Sequence, residues 1–258
     1  MISTIRNALQ MASNNISLIS NNLANASTTG FKRSDGEFTH FYVEQVERAG
    51  LHVGSGAMNE GIRRQFTQGA MRATNGALDL AISGVGMFLT GSDVEGDVTF
   101  TRDGSFLLDS QGYLRTVDNR TLFGVGGEPL QIPPRRVYED GRETLIDNID
   151  INSAGQINVT YGDGSIVELG TVALARFANM SGLKALGGGQ YVATDRSGPA
   201  QIGTAMTDTF GKVMNGHLEA SNTDVTEELA RLMKAQQAYS GSSRMLQAAA
   251  DITKRLIG

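Results

Sequence analysis

The side chains able to do chemistry are few in this chain, and their spacing works against it. His40, His52 and His217 stand at intervals unlike those of a metal site, with no cysteine and no HExxH pattern to join them. Asp93, Glu95 and Asp97 could offer oxygens to a hard cation, but the rest of an EF-hand loop is missing, and a solvated acidic hairpin tip accounts for them. The stretch GSGAMNEG at 54–61 has the outline of a phosphate loop. No Lys-Ser or Lys-Thr follows it and no helical period begins there, so its glycines read as turn glycines. Ser83, in SGVG, lacks the GxSxG elbow of a hydrolase nucleophile. The expectation is a chain with no catalytic residue, no metal site and no cofactor.

Composition narrows the partners. The 258 residues carry 22 Lys and Arg against 27 Asp and Glu, a formal charge of −5, and the basic residues are scattered. A nucleic-acid partner would want them concentrated on one face. No run approaches the roughly 20 apolar residues that a membrane-spanning helix needs, so membrane insertion is not expected. The N-terminus lacks the basic region, apolar run and cleavage site of a secretory signal. There are no cysteines to build a disulfide framework.

What the chain does carry is a pair of patterned ends. Glycine is abundant, 32 residues against 4 prolines, yet 1–29 and 219–240 contain none. In the first of these stretches Ile2, Ile5, Leu9, Ala12, Ile16, Ile19 and Leu23 step by three and four alternately, the a/d seam of a coiled coil, opposite a face rich in Ser, Asn and Gln. At the other end Leu229, Leu232, Ala235, Tyr239, Met245, Leu246, Ala249, Ile252 and Leu256 mark a second stripe, and Asp224 to Glu227 (DVTE) offers an N-cap. Gln236, Ser242 and Ser243 interrupt that stripe, and Gly241 weakens the helix by about 1 kcal/mol relative to alanine.

The middle alternates in the manner of strands. DGSFLLDSQGYLRT and AGQINVTYGDGSIVELGTVALARF place short apolar runs between Asp-Gly and Gln-Gly turns. Ile132-Pro133-Pro134 is expected at an edge or a connection. The predicted class is α+β: an N-terminal coiled-coil helix (1–30), an extended linker region (31–75), an inserted antiparallel β-rich outer domain (76–200), a return segment (201–221) and a C-terminal coiled-coil helix (222–258). The two helices could pack on the β domain. Alternatively they pair with each other and then with copies from neighbouring molecules, since an isolated pair leaves much apolar surface wet.

One stretch carries a resemblance. SNNLANASTTGFKR, at 20–33 behind an apolar heptad, resembles the N-terminal signature of the bacterial flagellar rod and hook proteins, in which an NNLAN or NNIAN tract leads into T-x-G-F-K. FTQGAMRATNGALDLAISGVGMF, FTRDGSFLLDSQGYL, GTVALARFAN and GHLEASNTDVTEELARLMKAQQAYSGSSRML are similar to further blocks of that family, in the same order. The likeness runs from end to end, with its largest gap around 118–147.

The resemblance implies a structural subunit whose terminal helices pair into an inner tube around an export channel while its β domain forms an outer layer. Ile5, Leu9, Ile16, Ile19, Leu23, Leu229, Leu232, Tyr239, Leu246 and Ile252 would then be the subunit interface. Asn21, Asn22, Asn25, Gly30 and Phe31 would form the turn that ends the first helix, with hydrogen-bonding amides and a left-handed glycine. The implied partners are further copies in a helical polymer, neighbouring rod and hook proteins, and the flagellar type III export apparatus, which passes chains without cleaving a signal. The implied place is the periplasm-spanning rod of the basal body. The length resembles that of rod proteins, whereas GTVALARFANMSGLKALGGGQY and QQAYSGSSRM look more like hook protein, and the chain between Phe38 and Gly50 is shorter than in typical distal-rod proteins. A short hook protein is the close alternative. A β-rich glycan-binding or adhesin module with helical oligomerisation ends is the rival from another class, although 6% aromatic residues and no Trp supply little to stack on a sugar.

Overall fold

The computed structural model describes residues 2–42, 54–92, 97–137, 142–207 and 209–257, and in it both ends of the sequence are helical while the middle is made of strands. Helix α1 spans Ile2–Ala24 and helix α2 spans Val225–Ile257. None of the described helices is long and apolar enough to cross a membrane. Contacts within the chain divide it into two units. The first comprises Met1–Ala26, Arg33–Gln65 and Thr223–Gly258, and the second Ser27–Lys32 and Phe66–Asn222.

In the first unit α1 and α2 lie side by side and antiparallel, so that Asn22 meets Glu228 near one end, and Ile19, about one turn back on α1, shares a groove with Ala235, about two turns on along α2. The seam forms because one face of α1 is apolar at every third or fourth residue, whereas Ser3, Arg6, Asn7, Gln10, Ser13 and Ser17 keep the opposite face in water. Asp224 starts α2 as expected, its Oδ1 accepting hydrogen bonds from the backbone N–H of Thr226 (2.8 Å) and Glu227 (3.1 Å). Two strands complete this unit, β1 (Ser34–Tyr42) and β2 (Gly54–Arg64), paired antiparallel from Ser34 opposite Arg64 to Tyr42 opposite Gly54. The partners of Glu37 and Phe38 are Gly61 and Asn59, so Glu60 is an extra residue in β2, a bulge. This pairing falls in the region read as an extended linker, and Gly54 and Gly61 of the GSGAMNEG stretch lie in a strand instead of a turn. Without a β carbon, a glycine-rich strand shows no alternation to read.

Among its described residues the second unit is strand, turn and connection apart from one short 3-10 segment, Met180–Gly182. A four-stranded antiparallel sheet orders Arg135–Val137, Glu143–Ile151, Gln156–Tyr161 and Ile166–Thr171. Its inner face is set by alternation, with Ile157, Val159 and Tyr161 buried and the residues between them partly exposed. The larger sheet centres on Met87–Gly91, which pairs with Val98–Thr101, Thr121–Leu122 and Leu174–Arg176. Every residue of that central strand is buried, because it is covered on both faces. Phe88 enters the core shared with Phe106, Ile132, Ile157 and Leu174, while Met87 and Leu89 enter another with Phe100, Phe177 and Tyr191. Each core holds an edge-on aromatic pair, Phe88 with Phe106 (5.3 Å) and Phe100 with Phe177 (4.8 Å). Ile132-Pro133-Pro134 is a connection, not an edge strand.

Where two backbones must touch, glycine is obligatory. Leu80 N–H donates to the Gly104 carbonyl at 3.0 Å, and a β carbon on Gly104 would stand 1.6 Å from the Leu80 carbonyl oxygen. Gly162 sits in a turn where the nearest atom to such a carbon would be 3.8 Å away. Gly104→Ala should therefore destabilise the second unit by about 1–3 kcal/mol through forced backbone displacement, and Gly162→Ala should stay within about 0.5 kcal/mol of the parent. Denaturant unfolding followed by near-UV circular dichroism checks both; equal stability of the two variants would refute the packing described here.

Candidate assembly interface

The motif NNLANASTTGFKR is an exit from α1 into two separate polar networks. The helix stops at Ala24, where Asn25 turns back and donates to the Asn21 carbonyl through both its backbone N–H (3.2 Å) and its side-chain amide (2.9 Å). Asn22 is fully buried and acts as a strand neighbour would. Its Nδ2 donates to the Ser34 carbonyl (2.8 Å) and its Oδ1 accepts from the Ser34 N–H (2.9 Å), which fastens the start of β1 to the end of α1. Only a carboxamide presents both a donor and an acceptor in that plane. The same Nδ2 also lies 3.3 Å from Glu228 Oε2.

Charges complete this corner of the first unit. Glu228, with no solvent exposure, has the Arg33 guanidinium 3.5 Å away and that of Arg231 at 3.9 Å. Arg33 also pairs with Asp35 (3.1 Å) and Glu227 (3.2 Å), and Arg231 with Asp35 (2.8 Å) and Glu227 (2.6 Å). Partial burial would raise the Asp35 carboxyl, but hydrogen bonds from Arg231 and Gln65 and the nearby charge of Arg33 outweigh it and hold the group below the ordinary carboxylate range. The network ties α2 to β1 across almost two hundred residues of sequence.

Gly30, Phe31 and Lys32 belong to the second unit. Gly30 is left-handed (φ 66°), but it lies six residues beyond α1 and does not close the helix. It is glycine because a β carbon there would be 2.6 Å from the backbone of Arg102 and Asp103. Its N–H donates to the Glu219 carbonyl (2.7 Å), and the Phe31 carbonyl accepts from Asn222 N–H (3.4 Å). Lys32 is buried against Glu219, with Nζ to Oε1 at 2.6 Å, and Arg102 meets the other carboxylate oxygen at 3.1 Å. Burial lowers the pKa of Lys32, opposed by the charge and hydrogen bond of Glu219.

The helical stripes are only partly covered within one chain. On α1, Ile19 is buried and Ile5, Leu9, Ile16 and Leu23 are half-buried. On α2 the covered face runs through Glu228, Leu232, Ala235, Ser242, Leu246 and Ala249. Leu229 (44% exposed), Tyr239 (43%) and Ile252 (60%) from the expected interface remain open, as do Met233 (59%) and Met245 (55%). Sequence reasoning missed Arg33, Asp35, Glu228 and Arg231, because the pairs that join β1 to α2, Arg33 with Glu227 and Glu228 and Asp35 with Arg231, lie too far apart along the chain for any local period to signal. The adjacent Lys and Arg at the end of the motif were the available hint.

The other candidates of the sequence do not gather. Asp93, Glu95 and His52 lie outside the described residues, as does most of the span between Phe38 and Gly50. Asp97 pairs with Arg120 (3.0 Å), and His217 Nδ1 sits 2.8 Å from the Asn215 carbonyl. Among the described residues no three His, Asp or Glu side chains come together as metal ligands would.

Comparison with known proteins matches these same segments. Residues 2–32 match the family described as flagella basal body rod protein, 81–159 the flagellar hook protein FlgE/F/G D1 domain, and 214–258 the flagellar basal body rod FlgEFG protein C-terminal. The flagellar basal-body rod protein FlgG of Buchnera aphidicola subsp. Schizaphis graminum is 31% identical over 255 residues, covering 94% of this chain and 92% of the relative. FlgG of Agrobacterium fabrum is 32% identical over 247 residues, 90% of this chain and 88% of that one. The flagellar basal-body rod protein FlgF of Caulobacter vibrioides is 31% identical, with 94% and 90% covered. Matched at both helical ends, in the strands between them and along nearly the full length of these relatives, the chain belongs to the flagellar basal-body rod protein family.

Proposed function

We propose that this protein is a structural axial subunit of the bacterial flagellar basal body, polymerising helically into the rod that transmits torque and surrounds the export channel. The observation that carries the reading is the unfinished helix pair: Leu229, Met233, Tyr239, Met245 and Ile252 stay exposed along α2 after α1 has covered its share. A monomer gains nothing from five large apolar side chains in water, whereas a tube of such pairs would bury them between copies. The three and four spacing of the covered positions supports a coiled-coil seam between α1 and α2, joined in the polymer by helices of adjacent subunits. Rod relatives in organisms as different as Buchnera and Caulobacter favour a rod subunit over a short hook protein, and their end-to-end coverage speaks against an adhesin module. The partners of this reading are other copies, adjacent rod and hook proteins, and the export apparatus that would deliver the chain unfolded to the periplasm-spanning rod.

An open helical assembly joins unlike patches, so no closed two-fold dimer should dominate. Sedimentation of purified chain should show monomer passing to elongated species. A stable dimer that neither grows nor docks on other axial proteins would argue against the polymer.

The exposed stripe gives a sharper test, because it separates assembly from folding. Met245→Asp places a charge on a side chain already in water, and the free chain should unfold within about 0.5 kcal/mol of the parent. In the polymer the same carboxylate would enter a desolvated layer without a partner. The variant should be produced normally yet be absent from isolated basal bodies, leaving cells non-motile, while Ser13→Asp on the polar face of α1 should be milder. Full incorporation and motility of Met245→Asp would overturn the claim that this stripe builds the tube.

A further inference from the structure

The chain passes between its two units four times, after Ala26, Lys32, Gln65 and Asn222. Within the second unit, the segments next to those passages are 27–32, 66–69 and 219–222, and one carboxylate holds all three. Glu219 Oε1 accepts from Lys32 Nζ (2.6 Å) and from the Gly69 N–H (2.8 Å), and the Glu219 carbonyl accepts from the Gly30 N–H (2.7 Å). Lys32 Nζ also donates to the Thr67 carbonyl (2.9 Å), and Asn222 Nδ2 donates to the same carbonyl (3.1 Å) and to Thr67 Oγ1 (2.9 Å). Arg102 anchors the other oxygen of Glu219 to the body of the unit, since its guanidinium donates to the carbonyls of Ile82 (3.1 Å) and Gly84 (2.8 Å).

The charge count sets this cluster apart from a device for stability. Two cations face one carboxylate, with side-chain exposures of 1%, 4% and 0%. An ion pair with an apolar surround can often be replaced by hydrophobic residues at no loss, and a surplus buried cation makes the balance worse. Arg102 alone would neutralise Glu219. Lys32 is thus the costly member, and what it adds is a tie between the outgoing segment and the other two.

We propose that the Lys32–Glu219–Arg102 cluster is a mechanical catch, retained to hold the three passage segments of the second unit in one register so that force arriving along the chain enters the sheet without peeling 27–32 away. The mechanical part rests on the rod reading; the catch itself does not. Lys32 spends stability for registry, and its removal should loosen one segment without loosening the unit.

Lys32→Met in the full-length chain tests this, because methionine keeps the length and apolar stem while leaving Arg102 and Glu219 matched one to one. The thermal midpoint of the second unit should be unchanged or raised. Native-state hydrogen exchange at Gly30 and Asn222 should accelerate by about tenfold or more, with the amides of the central strand Met87–Gly91 unaffected. Exchange at Gly30 and Asn222 equal to the parent would overturn the catch, as would a uniform acceleration through the unit together with a lowered midpoint, the signature of an ordinary stabilising group. Glu219→Gln is the complementary variant: it strands two buried cations and should lower the midpoint strongly, and a midpoint equal to the parent's would also count against the cluster. In cells, Lys32→Met basal bodies should assemble and lose motility in viscous medium before they lose it in dilute medium. Undiminished motility in both media, with the exchange result as expected, would remove the mechanical role and keep the catch, whereas failure of the rod reading would show as absence of the parent chain itself from isolated basal bodies.

Discussion

A carboxylate without water has to be answered by the protein, and Glu219 is answered by four donors from three parts of the chain: Lys32, Gly69 and Arg102 at its side chain, and Gly30, beside Lys32, at its carbonyl. None of these donors is a sequence neighbour of Glu219. The strand His217–Glu219 is therefore fixed in place by electrostatics as well as by its ladder to Met71–Ala73. A buried charge is intolerant in a way that an apolar contact is not. Leucine can slide against leucine for little cost, but an ion moved by an ångström from its partner faces the desolvation already spent on it. This intolerance lets one residue impose register on segments that arrive from distant parts of the sequence.

The first unit solves the same problem with less burial. Asn22 and Ser34 exchange two hydrogen bonds, and Glu228 is enclosed among Asn22, Arg33 and Arg231, so that α1, β1 and α2 meet at a polar corner. Away from that corner the helices hold each other through a narrow seam. Ala235, Ser242 and Ala249 recur at seven-residue spacing on α2, and such small side chains let two helices approach closely while burying little area. The polar corner specifies the pairing; the seam alone is thin, and the apolar residues on its flanks remain available.

How legible this was follows the range of each interaction. The helices were plain because their apolar spacing repeats locally, and the β-rich middle was plain because Ile157, Val159 and Tyr161 alternate as a half-buried strand must. The pairing of β1 with β2 was not, since Gly54 and Gly61 erase the alternation and Glu60 shifts the register. The polar networks were invisible for another reason: Lys32 and Glu219 are 187 residues apart, and nothing local to either says that it is buried. Even the α2 stripe was read as one face, whereas Leu229 and Met233 lie to one side of the covered line and Met245 and Ile252 to the other. Periodicity reports that a helix is amphipathic without reporting how many neighbours share its apolar arc.

That last distinction bears on the way the molecule works. In the proposed assembly, apolar residues on both flanks of the covered face would meet a lateral neighbour on either side of the helix pair, the arrangement a closed tube requires and an isolated hairpin of helices does not. The neighbouring Lys32 and Arg33 divide the labour at the other scale, since one secures the second unit and the other the polar corner of the first. Adjacent residues in the motif thus serve two networks, one described in each unit. A subunit built this way has internal networks to fasten each unit, and in the proposed assembly the exposed flanks of α2 would be among the surfaces that copies of itself cover.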